Sequence, residues 1–171
     1  AAREGRALAE LTQAPIVSRH MGRGVVRSDD DYALPAAAAL PHWPDVDVVI
    51  GIGSRLTQLR EWGMGGRLKV VPIDLGQSQV NRIAPPAVGI VADAAEATAR
   101  LVEALAAKNL SPAPRTAEFA AIRAAFREEV AAEDQPDRPL PVEAVRDEVV
   151  GQRPEQLGRG GRVRLAQVVH R

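Results

Sequence analysis

The sequence predicts an α/β fold, an open parallel sheet of doubly wound type with helices on both faces. Three observations predict it. Three β-branched runs, within residues 45–56, 68–74 and 87–93, close on Gly or Asp, the places where parallel strands turn toward helices. Stretches with apolar residues at helical spacing precede and follow these runs. A hydrophobic content of 46% beside 26% charged residues is that of a globular chain, and at 171 residues it has the length of one domain. With aromatics at only 3%, the core must be built from Ala, Val, Leu and Ile.

Composition also excludes. Zero cysteines rule out disulfides, thiolate zinc sites, iron–sulfur clusters and a cysteine nucleophile. No apolar run approaches the ~20 residues that cross a bilayer, so no membrane partner is expected. The opening Ala1-Ala2-Arg3-Glu4-Gly5 has neither a signal-peptide core nor an initiating Met. A cytoplasmic product is therefore expected, with a start that is not a natural one. The 22 basic and 22 acidic residues cancel, but unevenly. Five arginines against the single acid Glu155 give residues 151–171 a formal +4 and leave −4 on residues 1–150. Only Lys69 and Lys108 are lysines, an Arg and Ala excess that reads as codon bias, so single arginines carry little weight.

Taken in order, residues 3–13 place Leu8 and Leu11 on one face of a short amphipathic helix. Ala14-Pro15-Ile16-Val17-Ser18 is a short buried strand, and Gly22 and Gly24 signal a loop after it. Between residues 29 and 45 the prolines Pro35, Pro41 and Pro44 confine any helix to Pro35–Leu40. The best strand, from Asp45 to Ile52, ends in Gly51-Ile52-Gly53-Ser54 and is expected to turn sharply into a helix N-terminus. Leu68–Asp74 and Ala87–Asp93 are the next strands. The last leads into a helix with Ala94, Ala97, Leu101, Val102 and Leu105 on one face, and Asp93 with Glu96 resembles its capping box. After the linker Ser111-Pro112-Ala113-Pro114, a helix capped by Thr116 carries Phe119, Ile122, Phe126 and Val130 along one side. That stripe must pack on the sheet's flank or on something outside the chain. A second linker, 135–139, precedes a short helix with Pro141 in its first turn and Val142, Val145 and Val149 inward. From Gly151 the periodicity stops.

Gly51-Ile52-Gly53-Ser54 fits two readings. Its glycines and a following helix can cradle a diphosphate, or they form a tight turn with Ser54 as N-cap. Leu56 stands where a third glycine of G-x-G-x-x-G belongs. Asp74, at a strand's carboxyl end, suits either a ribose hydroxyl or a turn before Gly76. Asp93 has the same choice between ligand and cap. His20, His42 and His170 are too scattered for a metal site, and no G-x-S-x-G elbow supports a nucleophile near Ser18. Trp43 and Trp62 read as packing residues at loop ends. The basic tail lacks the aromatic interleaving of a nucleic-acid surface, so no nucleic-acid partner is expected.

The succession Leu8-Ala9-Glu10-Leu11, Ala14-Pro15-Ile16-Val17, Gly22-Arg23-Gly24-Val25-Val26, the run from Asp45 to Leu56, Val71-Pro72-Ile73-Asp74 and Val88-Gly89-Ile90-Val91-Ala92-Asp93 resembles the central domain of thiamine-diphosphate-dependent enzymes. Within that family it is most similar to the acetolactate-synthase-like group, in register over residues 1 to about 150. The resemblance implies a Rossmann-like scaffold domain, residues 1–110, with a helical connector toward a third domain at 111–150 and an atypical basic tail at 151–171. It implies a parent that uses thiamine diphosphate and Mg²⁺ to decarboxylate or ligate 2-oxo acids, with both groups held by N- and C-terminal catalytic domains, in a homo-oligomer. This chain alone would then be non-catalytic, with no metal ligands of its own. Some members hold FAD or ADP on the central domain, and carried across by position that site is Gly53, Ser54, Arg55, Asp74 and Asp93. The alternative function is a stand-alone adenine-nucleotide module using the same residues.

The chain departs from the family pattern in four places. The opening strand, central in this sheet, is missing, so two retained strands are expected to expose apolar edges. Gly76 replaces the second acid of the usual Ile-Asp-Ile-Asp-Pro, which weakens nucleotide binding. Leu56-Thr57-Gln58-Leu59 stands where flavin-binding members have Phe-Asp-Asp-Arg, which argues against FAD. Residues 151–171 read like translation in a shifted frame, with an expected apolar strand replaced by Arg-rich sequence.

Overall fold

The structure, a computed structural model, describes residues 1–18, 22, 24–64, 66–82 and 85–133, and the backbone of 165–169. Six parallel strands form one sheet: β1 (Ile16–Ser18), β2 (Ala33–Pro35), β3 (Val48–Ile52), β4 (Lys69–Asp74), β5 (Ile90–Val91) and β6 (Leu165–Val169). Their order is β2-β1-β6-β3-β4-β5. Among the described residues six helices accompany them: α1 (Ala2–Thr12), α2 (Ala36–Ala39), α3 (Leu59–Trp62), α4 (Gln77–Val80), α5 (Ala94–Ala106) and α6 (Thr116–Glu133). A 3-10 helix, Leu40–Asp45, continues from α2.

Both faces of the sheet are covered. Successive strand residues point to opposite faces, yet Ile16 and Val17 are 0% and 2% exposed, and Val49 and Ile50 are 0% and 4%. Leu8 and Ala9 of α1 join these strands in a single hydrophobic core, largely aliphatic but including Tyr32 and Trp43, with α5 contributing Ala97 and α6 contributing Phe119. The α1 helix stops where Gln13 turns left-handed, at φ 53°. The Gln13 side chain then ties three segments together. Its Nε2 donates to the Glu10 carbonyl at 2.8 Å and to the Tyr32 hydroxyl at 2.7 Å, and its Oε1 accepts from the Arg115 N–H at 3.1 Å. Both sheet edges are short. β2 is three residues ending in Pro35 and β5 is two, which leaves little ladder open to another chain.

The α6 stripe packs within the chain. Phe119 is fully buried, with its ring 6.1 Å from that of Tyr32. Arg123, 8% exposed, donates through Nη1 to the carbonyls of Asp31 and Ala33, at 2.9 and 3.0 Å. Trp43 and Trp62 pack edge to face at 5.1 Å, and the Trp43 indole donates to the Gly63 carbonyl at 2.9 Å.

Three expectations change. β2 lies in a segment read only as polar and Ala-rich; it becomes a strand because β1 supplies its ladder, register Ile16↔Ala33 to Ser18↔Pro35. No helix begins at Ser54. Leu56, at φ 49°, is buried at 3% exposure, and among the described residues between β3 and β4 the one helix is the single turn α3. The centre of the sheet is not vacant. β6, from the segment read as losing periodicity, pairs along its whole length with β3 and through its last three residues with β1. The edges expected to be exposed are thereby paired. The second linker, the short helix of Pro141, Val142, Val145 and Val149, and residues 151–164 of the basic tail lie outside the described residues, as do His20 and His170.

Candidate functional site

With every strand parallel, all carboxyl ends lie on one side of the sheet. The chain runs outward in one direction through β1 and β2 and in the other through β3, β4 and β5, so the order reverses around β6. Ligands of open α/β sheets bind at such a reversal. A crevice of about 510 Å³ opens there, lined by Ala1, Ala2, Gly24, Val25, Gly53, Asp74, Leu75, Asp93 and Ala94.

Its rim is held by backbone bonds between strand ends. The Gly53 N–H donates to the Ile73 carbonyl at 2.9 Å, and the Ala92 N–H to the Asp74 carbonyl at 3.1 Å. Gly53 sits at φ 58°, a left-handed conformation that glycine adopts without penalty. Of the five residues singled out in the sequence, the fold brings Gly53, Asp74 and Asp93 to this crevice. Ser54 is buried and its Oγ accepts from the Leu56 N–H at 3.2 Å, while Arg55 is exposed and does not line the crevice.

Both acids already have backbone partners. The half-buried Asp74 accepts from the Gly76 N–H at 3.0 Å, the turn expected before that glycine. Asp93 caps α5, accepting from the Glu96 N–H at 3.0 Å and the Ala95 N–H at 2.9 Å. Those two bonds, Glu96 first, hold its carboxyl below the ordinary range. Among its described lining residues the crevice carries no Lys, Arg or His side chain, and the Ala1 amine is paired with Glu4 at 2.9 Å. The two carboxylates can accept from hydroxyl donors. Of the other rim residues, Gly24 and Val25 belong to the glycine loop that the sequence marks after Ser18, whereas Leu75 has no motif; the fold places all three here.

A larger cavity, about 860 Å³, lies at the ends of β1 and β2, between Leu34, Leu40, Trp62 and Phe126. It is mostly apolar. Among its described lining residues the one guanidinium, Arg27, is committed to Asp29 by two bonds of 2.8 Å, which hold the Asp29 carboxyl at about 2.

The family model described as thiamine pyrophosphate enzyme, central domain, matches residues 1–101, from α1 into α5. The chain belongs to that family. No curated protein matches it. The α/β architecture of the central domain is as the sequence predicts, and the family's parents are thiamine pyrophosphate enzymes with further domains. Thiamine diphosphate and its cation do not fit the described residues of this central domain. Its crevice acids are engaged with backbone N–H groups, and no three His, Asp or Glu side chains gather as metal ligands among the described residues. No helix among them is long and apolar enough to cross a membrane.

Proposed function

We propose that this central domain is the non-catalytic scaffold of a cytoplasmic, acetolactate-synthase-like enzyme that uses thiamine diphosphate and Mg²⁺ on 2-oxo acids. On this reading residues 1–110 form the scaffold, 111–150 connect it to a third domain, and residues 151–171 are an atypical basic tail, of which 165–169 pair with the scaffold as β6. The family match over residues 1–101 carries the proposal. Two features of the site support a structural role. Asp74 and Asp93 each hold a turn or a helix start, and the apolar cavity beside Leu40 and Trp62 offers a surface suited to neighbouring domains and subunits. The purified chain, given pyruvate with thiamine diphosphate and Mg²⁺, is expected to release no carbon dioxide and form no acetolactate. Measurable turnover of any 2-oxo acid would overturn the scaffold reading.

A second reading has an observation of its own, because Gly53, Asp74 and Asp93 meet in one crevice. There a ribose would donate its hydroxyls to the two carboxylates. Calorimetric titration with ADP or FAD separates the readings. The scaffold predicts no specific heat, whereas a nucleotide module predicts saturable heat that Asp74→Asn diminishes.

A further inference from the structure

Between β3 and β4, residues 54–62 close their backbone bonds on one another. The Leu56 N–H donates to the Ser54 Oγ at 3.2 Å. The N–H groups of Leu59 and Arg60 donate to the Leu56 and Thr57 carbonyls, both at 3.1 Å, and those of Glu61 and Trp62 to the Gln58 carbonyl, at 3.0 and 2.8 Å. Bonds to the scaffold flank this segment. On one side the Gly53 N–H donates to the Ile73 carbonyl at 2.9 Å, and on the other the Gly63 carbonyl accepts from the Trp43 indole at 2.9 Å. Both glycines are left-handed, at φ 58° and 83°, and a Cβ built at Gly63 would meet nothing within 4 Å. Two such glycines at the ends of a self-bonded segment are hinge positions.

The segment is seated by its inner face. Leu56 and Leu59 are buried, whereas Arg55, Thr57 and Arg60 are exposed. Two costs oppose the seating. Leu56 holds a left-handed backbone, where its Cβ crowds the following carbonyl. Gln58 is 3% exposed, and its buried Nε2 finds no acceptor among the described residues. A buried donor without an acceptor has given up its bond to water for nothing. Lifting the segment into solvent relieves both costs and forfeits the burial of the two leucines. The segment also touches both openings of the sheet's carboxyl side, since Gly53 lines the acidic crevice and Trp62 the apolar cavity.

We propose that residues 54–62 are a strap that lifts from the sheet as a unit, hinged at Gly53 and Gly63, while β3 and β4 stay paired. Lifting takes Trp62 out of the wall of the apolar cavity and frees the chain beside the crevice rim, so one motion reshapes both openings. Anything packed against Trp62 in the cavity favours the seated state and thereby fixes the rim at Gly53.

Amide hydrogen exchange of the unsubstituted chain, followed by NMR from no urea to about 1 M, tests the strap. The Gly53 and Lys69 amides donate to the Ile73 and Asp47 carbonyls and report the β3–β4 pairing before and after the strap. Leu59 and Trp62 report the strap itself. Their protection is expected to be alike, at least about tenfold below that of Gly53 and Lys69, and nearly independent of urea, the signature of a local opening that exposes little surface. Gln58→Met keeps the length of the side chain and removes the orphaned donor, and it is expected to raise protection at Leu59 and Trp62 about tenfold. If all four amides share one protection and one urea dependence, the segment opens only with the whole chain and the strap is overturned. Unequal protection at Leu59 and Trp62 overturns movement as a unit. An unchanged Leu59 and Trp62 in folded Gln58→Met overturns the orphaned amide as a cost of seating. Should Gln58→Met not fold, the unsubstituted chain decides alone, and unprotected Gly53 and Lys69 amides there leave no paired sheet for a strap to lift from and overturn it as well.

Discussion

Gly51 and Leu56 show how one residue's lack of a side chain decides where another goes. A Cβ at Gly51 would lie 2.7, 2.8 and 2.9 Å from three side-chain carbons of Leu56. Leu56 is itself 3% exposed and held at φ 49°, so it has little room to yield. Gly51→Ala is expected to cost about 1–3 kcal/mol in urea unfolding, the usual range for overpacking. Combining it with Leu56→Ala should cost less than the two changes summed, because the clash disappears. Asp93 carries a different prediction. Its carboxyl is held below the ordinary range by the Glu96 and Ala95 N–H groups. A depressed carboxyl contributes stability that is complete above the unfolded value, near 4, and is lost as pH falls through the lower folded value. Asp93→Asn keeps an acceptor for the cap but cannot titrate. From pH 7 to below pH 3, the unsubstituted chain should therefore lose more stability than the Asn variant. Equal acid sensitivity would show that this cap does not set the pH response.

Among the elements, α6 depends on Arg123, whose Nη1 spans the Asp31 and Ala33 carbonyls at the start of β2. Arg123→Ala leaves two carbonyls without their charged donor, and the expected loss is about 2–3 kcal/mol by chemical denaturation. Arg123→Lys should recover part of it, since a single ammonium can still reach one carbonyl. This latch was not legible in the sequence. An Arg excess makes every arginine look alike, and the carbonyls that distinguish Arg123 come from a segment about 90 residues earlier in the chain. The strands β3 and β4 were legible because their β-branched runs fit a strand buried on both faces. β2 was not, since Ala33-Leu34-Pro35 has no β-branched residue and is a strand only beside β1. The turn after Gly53 was read as a helix start because Gly-x-Gly-Ser commonly precedes one. The apolar residue at position 56 diverts the backbone into the core instead.

Across the whole molecule, the crevice was legible wherever strand-end residues mark it, since parallel strands must bring Gly53, Asp74 and Asp93 to one side. Its loop walls, Gly24 and Val25, were not, because loop position depends on the completed sheet. That completion is the property periodicity could not reveal. Residues 165–169 are five among Arg-rich neighbours, and they stand as a strand through their pairing with both β1 and β3. A chain whose sheet is joined by its most distant strand should unfold as one unit only while that strand is in place. Gln167 is the position to test, since its backbone is in register with Ile16 of β1 and Ile50 of β3. Gln167→Pro removes a ladder donor from a central strand, where proline is not accommodated. Amide exchange is expected to show Val17 and Ile50 losing protection together in this variant, with β4 losing less because its ladder to β3 persists. Its loss of stability should exceed that of Gly51→Ala or Arg123→Ala. If Gln167→Pro instead leaves exchange at Val17 and Ile50 unchanged, the two halves of the sheet are stable without β6, and the central strand is an accessory to a fold that stands on its other contacts.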